Sequence, residues 1–242
     1  MNFSDKLFIV SGAGSGIGKA CTELLLNSNA TVIGIDIKNS PITHERYTHY
    51  MVDVKNEQKV KQIVDDIEIK FGQIDGLVNC AGVFANSKPF YNLSVTEWNN
   101  VIETNLTGVF ILSKYVVSNM IKFKAGKIVN ISCIRSKIFR PNMADYAAAK
   151  GGVVALTSAM ALDLADHNIH VNSVAPGFTY TGMTSNSFDN AEIRSSSEKL
   201  IPVGKIAKSE DIANVVLFLL SEMSDYINGE TIFVDGGYKI SK

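Results

Sequence analysis

Lys6-Leu7-Phe8-Ile9-Val10-Ser11-Gly12-Ala13-Gly14-Ser15-Gly16-Ile17-Gly18 is the stretch on which the fold is read. A short apolar run, Lys6 to Val10, breaks into a turn with glycine at every second position. A helical pattern follows, in which Ile17, Cys21, Leu24 and Leu25 recur on one face. Glycines leave out the Cβ atoms where a backbone turns sharply and approaches a phosphate, and a helix N-terminus offers unpaired N–H groups to an anion. An isolated glycine-rich stretch is as often a plain tight turn. At a strand-to-helix junction it reads as the cradle of a dinucleotide pyrophosphate, lined by Gly12, Ser15, Gly16, Ile17 and Gly18.

Asp36 closes the next apolar run, Ala30 to Ile35. A carboxylate at this point accepts hydrogen bonds from the adenosine ribose hydroxyls and repels a 2′-phosphate; the plain alternative is an ordinary strand-end aspartate. Neither Ser15 nor Ile37 beside it is basic, so NAD is expected rather than NADP.

Further strands are expected at Thr48 to Val54, Asp75 to Asn79, Lys127 to Ile131, Ile169 to Val174 and Glu230 to Val234. Helices are expected at Glu57 to Phe71, Thr96 to Phe123, Tyr146 to His167 and Ser209 to Leu220. Strict alternation of β and α, with strands apolar on both faces, indicates an α/β protein with a doubly wound parallel sheet of about seven strands and helices on both faces. One domain over 1–242 is expected. The polar, Ser- and Asn-rich segment 182–205 is expected to form a mobile insertion over the sheet's carboxyl edge.

The chain has 242 residues, of which 46% are hydrophobic and 19% charged, with a net charge of -1. That balance gives no basic field for nucleic acid or an anionic membrane. No apolar run approaches the ~18–20 residues that span a bilayer, and no basic-then-apolar leader precedes the first strand. Cys21, Cys80 and Cys133 are odd in number and scattered, which fits neither a disulfide framework nor a metal site and points to a reducing, cytoplasmic setting. The four histidines share no ligand spacing, so no metal is expected.

Tyr146-Ala147-Ala148-Ala149-Lys150 sets a phenol and an ammonium four residues apart on one helical face. A neighbouring cation favours phenolate, so Lys150 is expected to lower the Tyr146 pKa and let the phenol exchange a proton with a carbonyl or alcohol oxygen. By itself the spacing is common and usually structural.

Taken with its surroundings, the sequence resembles the short-chain dehydrogenase/reductase family from the first strand to Asp235-Gly236-Gly237. The glycine turn is similar to the family's TGxxxGxG, with Ser11 for the usual Thr. Asn79-Cys80-Ala81-Gly82 resembles NNAG, with Cys80 for the second Asn. Asp53-Val54 matches an acidic-plus-apolar pair that contacts adenine, and Pro176-Gly177 with Thr179 and Thr181 resembles the PGxxxT stretch at the nicotinamide carboxamide. Asn105 falls where the family has an Asn that kinks a long helix and holds a proton-relay water. The resemblance implies a Rossmann-type fold, a hydride exchanged between nicotinamide and a small alcohol or ketone, Tyr146 as general acid/base, Lys150 on the nicotinamide ribose, and a homotetramer.

One position departs from the pattern. Counting thirteen residues back from Tyr146, where the family serine that bonds the reacting oxygen stands, gives Cys133. A thiol is a weaker, longer donor than a hydroxyl. Three readings of Cys133 follow: a poorer donor in a slow enzyme, a residue displaced by Ser132 or Ser136, or the mark of a chain that binds NAD(H) as a sensor without efficient turnover. A reactive thiolate favoured by Arg135 and Lys150 is a further alternative. A 3-oxoacyl-(acyl-carrier-protein) reductase is the rival enzyme, and its usual NADPH preference conflicts with Asp36. Lys137 and Arg140 are candidates for attracting an acidic substrate, and Phe84, Met143, Phe178, Met183 and Phe188 for lining an apolar pocket.

Overall fold

The computed structural model describes residues 1–241. In chain order the elements are β1 (Leu7–Ser11), α1 (Gly16–Asn27), β2 (Thr31–Asp36), β3 (Tyr47–Met51), α2 (Glu57–Phe71), β4 (Gly76–Asn79), α3 (Val95–Ile102), α4 (Gly108–Phe123), β5 (Gly126–Ile131), α5 (Ala144–Leu164), β6 (Ile169–Pro176), α6 (Ser185–Phe188), α7 (Ala191–Glu198), α8 (Ser209–Leu220) and β7 (Thr231–Val234). The strands form one parallel sheet in the order β3-β2-β1-β4-β5-β6-β7.

Successive residues of each strand serve two different cores. Leu7 and Ile9 of β1 face α2, α4 and α5 with Ile33, Leu77, Ile128 and Val171. Phe8 and Val10 face α1 and α8 with Val32, Val78, Val129 and Val174. The period-two alternation of side chains therefore explains why the strands are apolar throughout. β1 pairs with β2 on one side and β4 on the other, so the chain reverses its direction of travel across the sheet at this point. In such sheets the crevice for a ligand opens there, beyond the strands' carboxyl ends.

Four expectations change. The third strand is Tyr47–Met51 and stops short of Val54. The helix read as Thr96 to Phe123 is interrupted by a π-helical turn at Glu103–Thr107, which divides it into α3 and α4. The polar segment 182–205 holds two short helices, and Phe188, Ile201 and Ile206 pack beneath it against Phe178. Finally, Ala144–His167 is long and apolar enough to cross a membrane by length and composition, although no segment of that size was expected. Its apolarity comes from alanines together with Val153, Val154, Leu156, Met160, Leu162 and Leu164. It lies against β6 and buries Asp145, Lys150 and Thr157.

Candidate active site

The glycine turn leaves β1 at Ser11. The Ser11 hydroxyl accepts hydrogen bonds from the N–H groups of Cys80 (3.0 Å) and Ala81 (3.2 Å), tying the turn to the end of β4. This serine does the tethering expected of a threonine. Gly12 has φ +69°, and a Cβ there would lie 2.9 Å from the Ala81 nitrogen. A Cβ on Gly18 would run into the Gly12 carbonyl oxygen. Both positions thus require glycine, one for its conformation and one for close packing of α1 on the turn. Ser15 caps α1 in an extended conformation without a side-chain hydrogen bond, which leaves the helix N-terminus open for an anion. These features fit a dinucleotide pyrophosphate.

Asp36 ends β2 beside this turn. Its Oδ2 accepts from the Gly14 N–H (3.0 Å) and its Oδ1 from the Lys38 N–H (3.0 Å). Thr181 approaches from the opposite wall, its Cβ 3.3 Å from where a Cβ on Gly16 would be, and it bonds the Thr184 hydroxyl. Gly177 backs onto Asp235, and the Thr179 hydroxyl donates to the Gly177 carbonyl (3.2 Å). Pro176 is the buried last residue of β6. Asp53 lies just past β3, accepting from the Lys55 N–H (2.9 Å), and Val54 is packed under Gly108. Asn79 turns inward: its amide donates to Ser113 (2.9 Å) and Asn130 (2.8 Å), and its Oδ1 has no partner.

At the far end of the crevice, α5 presents Tyr146 and Lys150, both buried. The Lys150 ammonium lies 5.8 Å from the Tyr146 ring centroid and donates to the Ile131 carbonyl (2.8 Å). Asn105, fully buried in the π-helical turn, bonds both backbone groups of Val83: it accepts from the N–H (2.8 Å) and donates to the carbonyl (2.9 Å). Gly82 completes the corner, for a Cβ on it would stand 2.7 Å from Asn105 Oδ1 and 3.9 Å from Lys150 Nζ. The Asn105 amide thus spends one donor and one acceptor on Val83 and keeps a second N–H and a second lone pair.

The electrostatics also depart from expectation. Burial raises the Tyr146 pKa well above its ordinary value, and the electrostatic influence of the adjacent Cys133 and a hydrogen bond with its thiol raise it further. The cation that lowers it is Arg135. Burial lowers the pKa of Lys150 itself, opposed by Cys133 and Cys80. The Cys80 thiol is pushed up to about 12, mainly by burial.

Cys133 packs with Tyr146, Ala149, Val101 and Met143. The two serines that might stand in for it are engaged elsewhere. Ser132 donates to the Lys150 carbonyl (2.9 Å), and Ser136 donates to the Cys133 carbonyl (2.7 Å). Phe84 stacks on Tyr146 at 5.5 Å, tilted by 47°. Phe178 and buried Phe188 meet beside the site at 6.3 Å, whereas Met183 is exposed.

Lys137 and Arg140, singled out as cations near the mouth, are exposed; the buried one is Arg135. Sequence reading missed Asp145, whose Oδ2 accepts from the Asn86 N–H (3.2 Å) and amide (2.8 Å) and so pins the start of α5. Asp145 belongs to no spacing pattern, and only its place beside Tyr146 could have drawn attention to it; Arg135 reads in the sequence as a cation favouring a Cys133 thiolate.

A family model described as Enoyl-(Acyl carrier protein) reductase matches residues 12–239. The 3-oxoacyl-(acyl-carrier-protein) reductase FabG of Thermotoga maritima is 37% identical, with 99% of this chain and 100% of that protein covered. The aldohexose dehydrogenase of Thermoplasma acidophilum superposes with a TM-score of 0.93 at 32% identity, over 98% of this chain and 95% of that one. ElxO, solved with NADP bound, has a TM-score of 0.92 at 30% identity, covering 98% and 99% of the two chains. This chain belongs to the short-chain dehydrogenase/reductase family, oxidoreductases that use a nicotinamide cofactor on CH–OH and C=O groups.

Proposed function

We propose that the protein is an NAD(H)-dependent oxidoreductase in which Tyr146 is the general acid/base for a small alcohol or ketone. The observation that carries this reading is the burial of Tyr146 and Lys150 together beside Cys133, at the end of a crevice whose other end is the glycine turn. The bound nicotinamide supplies the hydride donor or acceptor. The chain's own residues do the rest. Gly12, Ser15, Gly16, Ile17 and Gly18 cradle the pyrophosphate, Asp53, Val54, Asn79, Ala81 and Gly82 line the adenosine side, and Pro176, Gly177, Thr179 and Thr181 orient the nicotinamide. Lys150 binds the nicotinamide ribose, and Tyr146 gives a proton to the carbonyl oxygen or takes one from the alcohol. Cys133 donates to that same oxygen. With one donor and one acceptor of the Asn105 amide engaged by Val83, we assign the relay water to the backbone of the π-helical turn that Asn105 fixes.

Asp36 supports NAD over NADP, since its charge lies where a 2′-phosphate would sit and its oxygens face the glycine turn. The segment 182–205 is read as a substrate lid within a single domain. Exposed Phe110 on α4 (49%) and Leu162 on α5 (81%) support a homotetramer using these helices. Three unpaired cysteines support a cytoplasmic setting, with neither nucleic acid, membrane nor metal in the reading.

The similarity to FabG favours a second reading, reduction of a 3-oxoacyl carrier-protein substrate. Initial rates on an acetoacetyl thioester with NADH and with NADPH separate the two. Efficient NADPH-dependent reduction of the thioester would replace the first reading with the second. Tight NADH binding without turnover of any alcohol or ketone would favour the sensor.

A further inference from the structure

Arg135 occupies the short 3-10 turn after β5, two residues beyond Cys133, and only 5% of it is exposed. Its guanidinium lies 5.9 Å from the Phe178 ring centroid, and Nη1 donates to the Ile138 carbonyl (3.1 Å). Among the described residues no carboxylate stands within 4.0 Å of it, although the exposed surface carries ten ion pairs. A guanidinium offers five N–H donors, and Nε and Nη2 meet no acceptor among those residues. Neither is sealed off: the sealed polar side-chain atoms without a partner are Arg46 Nε and Asn79 Oδ1. The free donors therefore reach accessible space, on a side chain that neighbours Phe178 and Tyr146.

An unpaired buried cation is costly to a fold, and such a charge is normally retained where something anionic meets it. Its influence reaches Tyr146, whose phenol it acidifies. We propose that Arg135 anchors a carboxylate of the substrate, so that the reaction interconverts an oxo acid and a hydroxy acid whose carboxylate lies a short chain from the reacting carbon. The planar fork of Arg135 matches a carboxylate with two parallel hydrogen bonds, and Phe178 holds the guanidinium plane from one side. This assignment rests on Tyr146 marking the reacting oxygen. It adds a substrate class that a neutral acyl thioester does not satisfy.

The test pairs 2-oxo, 3-oxo and 4-oxo acids with their methyl esters, and dihydroxyacetone phosphate with dihydroxyacetone, using NADH and the wild-type enzyme. For the best chain length, kcat/KM for the acid is expected to exceed that for its ester by about ten- to hundredfold, mostly through KM, as for hydrogen bonds to a charged group. Arg135→Gln is expected to bring this ratio close to one, and Arg135→Lys to leave it in between. Esters turned over as well as acids, a preference that survives Arg135→Gln, or a preference confined to the phosphate would each overturn the carboxylate anchor while leaving Tyr146 chemistry in place. Should neither acids nor esters turn over, calorimetric titration of the same pairs into enzyme–NADH decides it. Acid-selective binding lost in Arg135→Gln sustains the anchor, and binding without that selectivity refutes it.

Discussion

Replacing Cys133 by serine should make the enzyme faster. The reacting oxygen has two side-chain donors within this architecture, the Tyr146 phenol and the Cys133 thiol, because the hydroxyls of Ser132 and Ser136 are held by the carbonyls of Lys150 and Cys133. A full donor to a developing oxyanion contributes about 2.7–4 kcal/mol. Taking a thiol to retain about half of that, the hydroxyl returns about 1.4–2 kcal/mol, or about ten- to thirtyfold in kcat. Since the gain is realised in the transition state, KM should change little. The exchange is nearly isosteric, and Cys133 packs against Ala149 and Val101, so thermal stability serves as the control for misfolding. The assay is the initial rate of NADH formation or loss with a substrate from an alcohol and ketone panel. A Cys133→Ser enzyme of unchanged stability with equal or lower kcat would refute the role given to the thiol.

Other consequences concern proton and cofactor. Because the Tyr146 pKa is raised, phenolate is scarce at neutral pH. Alcohol oxidation should therefore still be climbing as pH passes the ordinary tyrosine value of 10.0, while carbonyl reduction, which uses the protonated phenol, stays level until the same alkaline region. Cys133→Ser removes the thiol that raises the Tyr146 pKa, and its oxidation profile should move to lower pH in paired pH–rate curves. Asp36→Ala should weaken NADH about tenfold and improve NADPH, as measured by KM for each; an unchanged NADH/NADPH ratio would remove Asp36 as the selector. Gly18→Ala forces a Cβ into the Gly12 carbonyl and should lower stability by about 1–3 kcal/mol and impair NADH binding, read by denaturant unfolding and fluorescence titration.

The parts of the molecule legible in the sequence are those governed by local rules. Strand apolarity, glycine spacing and the four-residue step from Tyr146 to Lys150 each follow from a backbone period, and seven strands form the expected parallel sheet, the third ending at Met51 rather than Val54. Features that depend on what a side chain finds across the fold were not legible. The resemblance places a kink at Asn105, but its partner, the backbone of Val83 twenty-two residues away, belongs to no local pattern. The phenol's raised pKa reflects burial against Cys133, whereas the sequence offered only the nearby lysine. Arg135 stands out in the sequence only as a cation that could favour a Cys133 thiolate, and burial is what separates it from Lys137 and Arg140. Just past β5, Ser132 and Cys133 point apart, one to the α5 backbone and the other into the Tyr146 cluster.

The most direct measurement compares wild type with Tyr146→Phe on a broad alcohol and ketone panel, following the NADH absorbance and, separately, NADH binding. Wild type should turn over at least one member, and the variant should bind NADH with similar affinity yet lose at least about 10²-fold in kcat. A variant that retains wild-type kcat would contradict Tyr146 as the proton-exchanging group, and a wild type that binds NADH tightly while turning over no member would contradict hydride transfer as the protein's activity.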